Sequence, residues 1–141
     1  MFDKVFVDSN ILIYLFTSDD NEKKKIAGEV IDYLSEKAVI AVSLQVVNEV
    51  CSVLLKKGYT EAEVGLIAGH IMDISDMCPY TESVFHIAAD LRSRYSLSYW
   101  DSQIIAAAIN AECRGLISED FQDGLKIGSM LIRNVFVRER K

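Results

Sequence analysis

Proline is nearly absent from this 141-residue chain, at one residue, and glycine numbers only seven. That scarcity excludes collagen, low-complexity linkers and mucin-like stalks. Cysteine is sparse and odd in number: Cys51, Cys78 and Cys113 are widely spaced and form no CxxC. They make neither a disulfide framework nor a zinc site, and read as reduced, mostly buried thiols. The two histidines, His70 and His86, form no HxxxH pair, which argues against His-based metal or triad chemistry. No apolar run reaches the roughly 18–20 residues of a membrane helix. Near the N-terminus Asp3 stands where a secretory signal needs basic residues, and Asp8 interrupts the apolar stretch. The expectation is a cytoplasmic protein with no membrane partner. Basic charge is also short: 15 Lys and Arg stand against 21 Asp and Glu, a net charge of −6. Taken alone, that balance argues against nucleic acid, whose binders usually carry a basic face.

What is present is aliphatic: 50% of the residues are hydrophobic, which excludes a disordered chain. The length fits one domain over 1–141. Short apolar, β-branched runs predict strands at 4–7, 38–42, 115–118 and 134–137, with a short edge strand around Cys78-Pro79-Tyr80. Between them run amphipathic helices. One follows Asp8-Ser9-Asn10 and one covers 22–37. One is capped by Ser43 and stopped by Gly58, and one is capped by Thr60 with Glu63 closing a capping box. Two more cover 82–94 and 98–113. This alternation predicts an α/β fold, a parallel, roughly five-stranded sheet covered by helices on both faces in three α/β/α layers. Ligands of such sheets bind at the carboxyl ends of the strands.

Acids fall on that edge. Asp8 follows the first strand, and Glu119 and Asp120 follow the strand at 115–118. Asp8 serves equally as a helix N-cap, and Asp120 as a solvated loop acid. Asp101 shares a helix face with Ile104, Ile105 and Ala108, although a capping box with Ser98 also explains a first-turn acid. Glu49 flanks the apolar stripe of Val46 and Val53, where a boundary acid is also ordinary. Together, four acids come from four elements, and neither Lys nor Arg adjoins Asp8, Glu49 or Asp101. Carboxylates that converge without basic partners repel unless a cation lies among them. Hard divalent ions with oxygen ligands, Mg²⁺ or Mn²⁺, are the natural answer. Such a site suits phosphodiester hydrolysis, and the ions would make the acidic surface attractive to phosphate. Candidate phosphate contacts are Lys23-Lys24-Lys25, Lys56-Lys57, Arg92, Arg94, Arg138, Arg140 and Lys141.

Four motifs carry a resemblance: Val7-Asp8-Ser9-Asn10-Ile11-Leu12, Asn48-Glu49, Ser98-Tyr99-Trp100-Asp101 and Ser118-Glu119-Asp120-Phe121-Gln122-Asp123-Gly124. In this order the chain resembles the PIN-domain ribonucleases, and most closely the small VapC-type toxins of toxin–antitoxin pairs. The resemblance implies a Mg²⁺- or Mn²⁺-dependent endoribonuclease on a PIN-like fold. It implies Asp8 and Asp101 as primary metal ligands, Glu49 as a ligand directly or through water, and Asp120 as the fourth acid. Glu119 and Asp123 are the alternatives there, Asp123 acting from farther out. Ser9, Asn10 and Ser118 would orient the first aspartate or a bound water. An RNA substrate, a small antitoxin protein and a homodimer are implied as partners. Part of the apolar surface of the helix at 82–94 (Val84, Phe85, Ile87, Ala88, Leu91) is available for an interface, although core packing explains it too. Two other readings keep the fold: an RNA-processing nuclease without a toxin role, and a non-catalytic protein-binding module. A receiver domain fits poorly, because the first strand ends in a single acid, and a dinucleotide fold lacks its GxGxxG.

Overall fold

Apolar β-branched residues start the chain as β1 (Lys4–Val7), and Asp8 then turns it into α1 (Ser9–Phe16) by accepting the Ser9 N–H. The structure, a computed structural model, describes residues 3–137. Asp20 caps α2 (Asn21–Lys37), which leads into β2 (Val39–Ser43). Ser43 caps α3 (Leu44–Lys56), and the turn after it places Gly58 at φ +95°, a left-handed conformation that glycine adopts without a Cβ clash. Then come α4 (Glu61–Asp73), β3 (Asp76–Cys78), α5 (Glu82–Arg94), α6 (Tyr99–Asn110), β4 (Gly115–Ile117), β5 (Lys126–Ile127) and β6 (Met130–Arg133).

The sheet order is β3-β2-β1-β4-β6-β5. Among the described residues five strands are parallel, as expected, and only the two-residue β5 runs antiparallel, against β6. Strand β1 lies at the switch point, with β2 and β3 on one side and β4 on the other. Helix α1 packs on α2 and α3, α3 on α4, and α5 on α6. The chain steps from β1 through β2 to β3 in one direction and returns from β3 to β4 in the other, so crossovers of one hand place these two groups on opposite faces of the sheet. The strands between them are buried on both faces: Phe6, Val7, Ala41, Val42, Leu116 and Ile132 are fully inaccessible.

Three expectations are corrected. The last strand is Met130–Arg133, not 134–137. Asn134 instead accepts the Phe136 N–H through its own Oδ1 at 3.0 Å, an Asx turn, and the Phe136 ring packs edge-on against Tyr14. The edge strand stops at Cys78, so Pro79 lies just beyond it rather than within. The helix expected to reach 113 ends at Asn110, and Glu112 turns the chain with φ 62°. All three cysteines are free thiols, Cys78 and Cys113 buried. Among the described residues, no helix is long and apolar enough to cross a membrane.

The Thr60 cap forms as read: Thr60 Oγ1 accepts the Glu63 N–H at 3.1 Å, and Glu63 Oε1 accepts the Thr60 N–H at 2.8 Å. Thr60→Ala is expected to cost about 1 kcal/mol of unfolding free energy. It should appear as a lower urea midpoint with an unchanged slope; an unmoved midpoint would show that the cap contributes nothing.

Candidate active site

The acids meet where β1 and β4 end. Asp8, Glu49, Asp101 and Asp120 all line one open cleft of about 690 Å³, together with Leu44, Gln45, Asn48, Ser52, Tyr80, Trp100 and Ile104. Each acid is delivered by a different element for a local reason. Asp8 is both cap and site residue: its Oδ1 accepts the Ser9 N–H at 2.8 Å, and its Oδ2 accepts the Ser118 hydroxyl at 2.7 Å. Its own N–H continues the β1–β4 ladder to the Ile117 carbonyl at 3.0 Å. Glu49 stands on the solvent side of α3, where Ser9 Oγ donates to its Oε2 at 2.9 Å and Gln45 Nε2 to its Oε1 at 3.0 Å. Asp101 opens α6, with its N–H bonded to Ser98 Oγ at 3.1 Å. Its side chain does not complete the box back to Ser98 among the described contacts, and lines the cleft instead. Asp120 follows Ser118, whose Oγ accepts the Asp120 N–H at 3.1 Å.

Ser118 therefore touches two acids at once, and Ser9 joins Asp8 to Glu49. Asn10 Oδ1 accepts the Glu119 N–H at 3.2 Å, which fixes the turn after β4. The Asn10 amide lies beside Asp120, yet its nitrogen is buried with no partner at hydrogen-bond distance among the described residues.

The electrostatics follow from this crowding. Asp8 is 3% exposed, and burial pushes its carboxyl up to about 6. The Ser118 and Ser9 hydrogen bonds oppose that rise, while Asp120 and Glu49 add to it by charge repulsion. Asp120 is also raised, by partial burial first and by the Asp101 charge second. Among the described residues, no group of three His, Cys, Asp or Glu side chains is close enough to enclose an ion as it stands.

Two neighbouring acids are placed elsewhere. Glu119 accepts the Tyr14 hydroxyl at 2.6 Å and pairs with Lys23, whose ammonium also lies 4.9 Å from the Tyr14 ring centre and 5.3 Å from that of Phe136. Asp123 accepts Arg133 Nε at 2.9 Å and the Asn134 N–H at 3.0 Å, which hold its carboxyl below the usual range. Neither lines the cleft. Sequence reasoning assigned no role to Gln45, Tyr80 or Trp100. The available signals were the four-residue step from Gln45 to Glu49 and a large apolar side chain directly before Asp101.

By sequence, no curated protein is significantly similar to this chain. Among solved structures the fold is similar to Rickettsia felis VapBC2 bound to a DNA fragment from its promoter, with a TM-score of 0.70 at 14% identity over 93% of this chain and 98% of that one. It is similar to a Klebsiella pneumoniae toxin–antitoxin complex, at TM-score 0.69 and 21% identity over 94% and 98% of the two chains. It is also similar to Mycobacterium tuberculosis VapC20, a sarcin–ricin-loop-cleaving toxin, at TM-score 0.64 and 18% identity over 79% and 86%. At such identities the likeness is one of fold. The sequence itself matches the PIN domain model over residues 5–122, which covers most of β1, helices α1 to α6 and the acids Asp8, Glu49, Asp101 and Asp120, and the chain belongs to the PIN domain family.

Proposed function

We propose that this chain is a Mg²⁺- or Mn²⁺-dependent endoribonuclease that hydrolyses RNA phosphodiester bonds, and that it is the toxin of a toxin–antitoxin pair. The observation that carries the nuclease reading is the convergence of Asp8, Glu49, Asp101 and Asp120 in one cleft with no Lys or Arg among the described residues that line it. The donor set fits a hard cation. Its acids present only oxygen, the donor a hard ion prefers, and Mg²⁺ keeps several waters while binding through one or two carboxylates plus substrate phosphate.

Asp8 and Asp101 would hold the ion, with Glu49 binding directly or through water and Asp120 completing the set. When bound, a divalent ion lowers the pKa of water and offsets charge on a phosphoryl oxygen. The protein's part is orientation. Ser118 and the Ser9 N–H fix both oxygens of Asp8, and Ser9 with Gln45 fixes both oxygens of Glu49. The unpartnered Asn10 nitrogen offers a donor beside Asp120. Ser118→Ala is expected to weaken divalent-ion affinity about 10- to 100-fold, as loss of a group that orients a ligand commonly does. A Mn²⁺ titration followed by calorimetry measures this, and an unchanged affinity would remove Ser118 from that role.

Mg²⁺ or Mn²⁺ at millimolar concentration is also expected to raise the thermal midpoint, because an ion bound only by the folded chain stabilises it by mass action. A midpoint that stays fixed would count against a formed site. The toxin assignment is supported by the fold shared with VapBC2, the Klebsiella complex and VapC20. We infer a small antitoxin protein and a second copy of the chain as partners, in the cytoplasm. The experiment is incubation of RNA with protein freed of any co-purifying partner. Cleavage with Mn²⁺ or Mg²⁺ that EDTA abolishes supports the reading. Intact tRNA, rRNA and mRNA in both ions would favour a protein-binding module on the same fold.

A further inference from the structure

The proposed site raises a question of affinity. Proteins usually hold nucleic acid through Lys and Arg on phosphates, and among the described residues neither lines this cleft. Several described cations that sequence offered for that role are engaged elsewhere. Lys23 pairs with Glu119, Lys57 with Asp19 and Arg94 with Asp90. Arg92 donates to Ser102 Oγ at 2.7 Å.

The cleft has aromatic walls instead. Trp100 is 65% exposed and Tyr80 62% exposed, and both line it beside the acids. These rings are braced. The Tyr99 ring meets Trp100 edge-to-face at 5.1 Å and 83°. The Arg92 guanidinium lies over Tyr99 at 4.6 Å. Gln45 Nε2 reaches the Trp100 carbonyl at 3.4 Å, tying this helix start to the α3 wall. The Tyr80 hydroxyl donates to buried Gln103 of the same helix α6 at 2.6 Å, which anchors that ring by its tip. Aromatic faces that are fixed and exposed next to a phosphodiester site are what nucleobases stack on.

We propose that Trp100 and Tyr80 form a nucleobase-stacking subsite at the mouth of the acidic cleft, so that RNA is held by its bases rather than by basic contacts to its phosphates. The inference rests on the nuclease reading for its choice of ligand. Bases inside a duplex already stack on one another and offer no free face, so the subsite takes unpaired nucleotides.

Trp100 is the chain's single tryptophan, so its fluorescence reports on the subsite directly. The full chain, with Ca²⁺ replacing Mn²⁺ to slow cleavage, is titrated with a short unpaired RNA, the same length fully paired, and an abasic ribose-phosphate chain. Unpaired RNA is expected to quench Trp100 and to bind about 10-fold or more tightly than either of the others. In Mn²⁺, Trp100→Ala is expected to raise KM for unpaired RNA about 10- to 100-fold with a much smaller change in kcat, and Trp100→Phe to keep most of the affinity. Equal binding of the abasic chain, or an unchanged KM in Trp100→Ala, overturns the subsite. So does a Trp100→Ala variant that binds RNA normally but no longer self-associates, because the patch is then a protein interface. Base-dependent quenching without any metal-dependent cleavage would sink the nuclease reading and leave the subsite standing.

Discussion

Asp101→Asn is expected to lower RNA cleavage by about 100-fold or more, the scale on which removing one charge-stabilising group from a hydrolytic site acts. Asp8→Asn should do the same. The two side chains enter the cleft from opposite parts of the chain, one capping α1 and one opening α6. Each substitution removes a negative charge while keeping the shape. Folding survives because the local roles do not need the charge. Ser98 Oγ still caps the backbone N–H of residue 101, and an amide oxygen at position 8 still accepts the Ser9 N–H. Groups that act as a unit are not additive, so the double variant should be little worse than either single one. Single-turnover cleavage beside far-ultraviolet circular dichroism measures both halves of the expectation. Wild-type rates in both variants would remove the acids from the chemistry.

The second large effect runs the other way, on stability. In EDTA at pH 7, Asp8→Asn is expected to be more stable than the wild type by up to about 3 kcal/mol, the equivalent of a carboxyl moved from 3.8 to about 6. That difference corresponds to a thermal midpoint higher by on the order of 5–10 °C. The sign follows from proton counting. Between pH 3.8 and about 6 the folded chain holds a proton at Asp8 that the unfolded chain has released. Wild-type stability from this group is therefore complete below 3.8 and is lost as pH rises through about 6. An amide does not titrate, so the variant's advantage should be largest above pH 6 and should fade as pH drops toward 4. Asp120, raised in the same direction, leaves part of the slope in place in the variant. Midpoints measured from pH 4 to pH 8 test this, and a variant less stable than the wild type at pH 7 would show that Asp8 is not a strained charge in the metal-free protein. Loss of activity together with a gain of stability is the pattern of a residue retained for chemistry.

Much of this site was legible because its signals are local. Asp8 follows a β-branched run and precedes helix-forming residues, so both its place on the carboxyl edge and its capping role follow from neighbours in sequence. The Thr60 and Ser98 caps are equally local. The choice between Glu119, Asp120 and Asp123 was not local. Glu119 is turned aside by Tyr14, which is 105 residues away, and by Lys23, 96 residues away. Asp123 is captured by Arg133 and Asn134 after the chain has reversed through β5. The last strand was misplaced for a related reason. Val135, Phe136 and Val137 look like a strand by composition. Asn134 makes a turn of them, and the half-buried ring of Phe136 packs edge-on against Tyr14 rather than in a ladder. Met130–Arg133 has the weaker β signal but pairs with β4 and β5. Tertiary partners decided both outcomes. The aromatic mouth of the cleft was invisible for the opposite reason: exposure of Trp100 and Tyr80 is a property of the folded surface, and an aromatic beside an amphipathic helix ordinarily reads as core.

We propose that the acids at the sheet edge act through a divalent ion. The most direct test follows RNA cleavage and the thermal midpoint together as Mn²⁺ is titrated into metal-stripped wild type and Asp101→Asn. Both signals are expected to rise with the same half-saturating Mn²⁺ concentration in the wild type, and cleavage to stay absent in Asp101→Asn at every concentration. Cleavage by the metal-stripped protein, or cleavage that persists in Asp101→Asn, would contradict it.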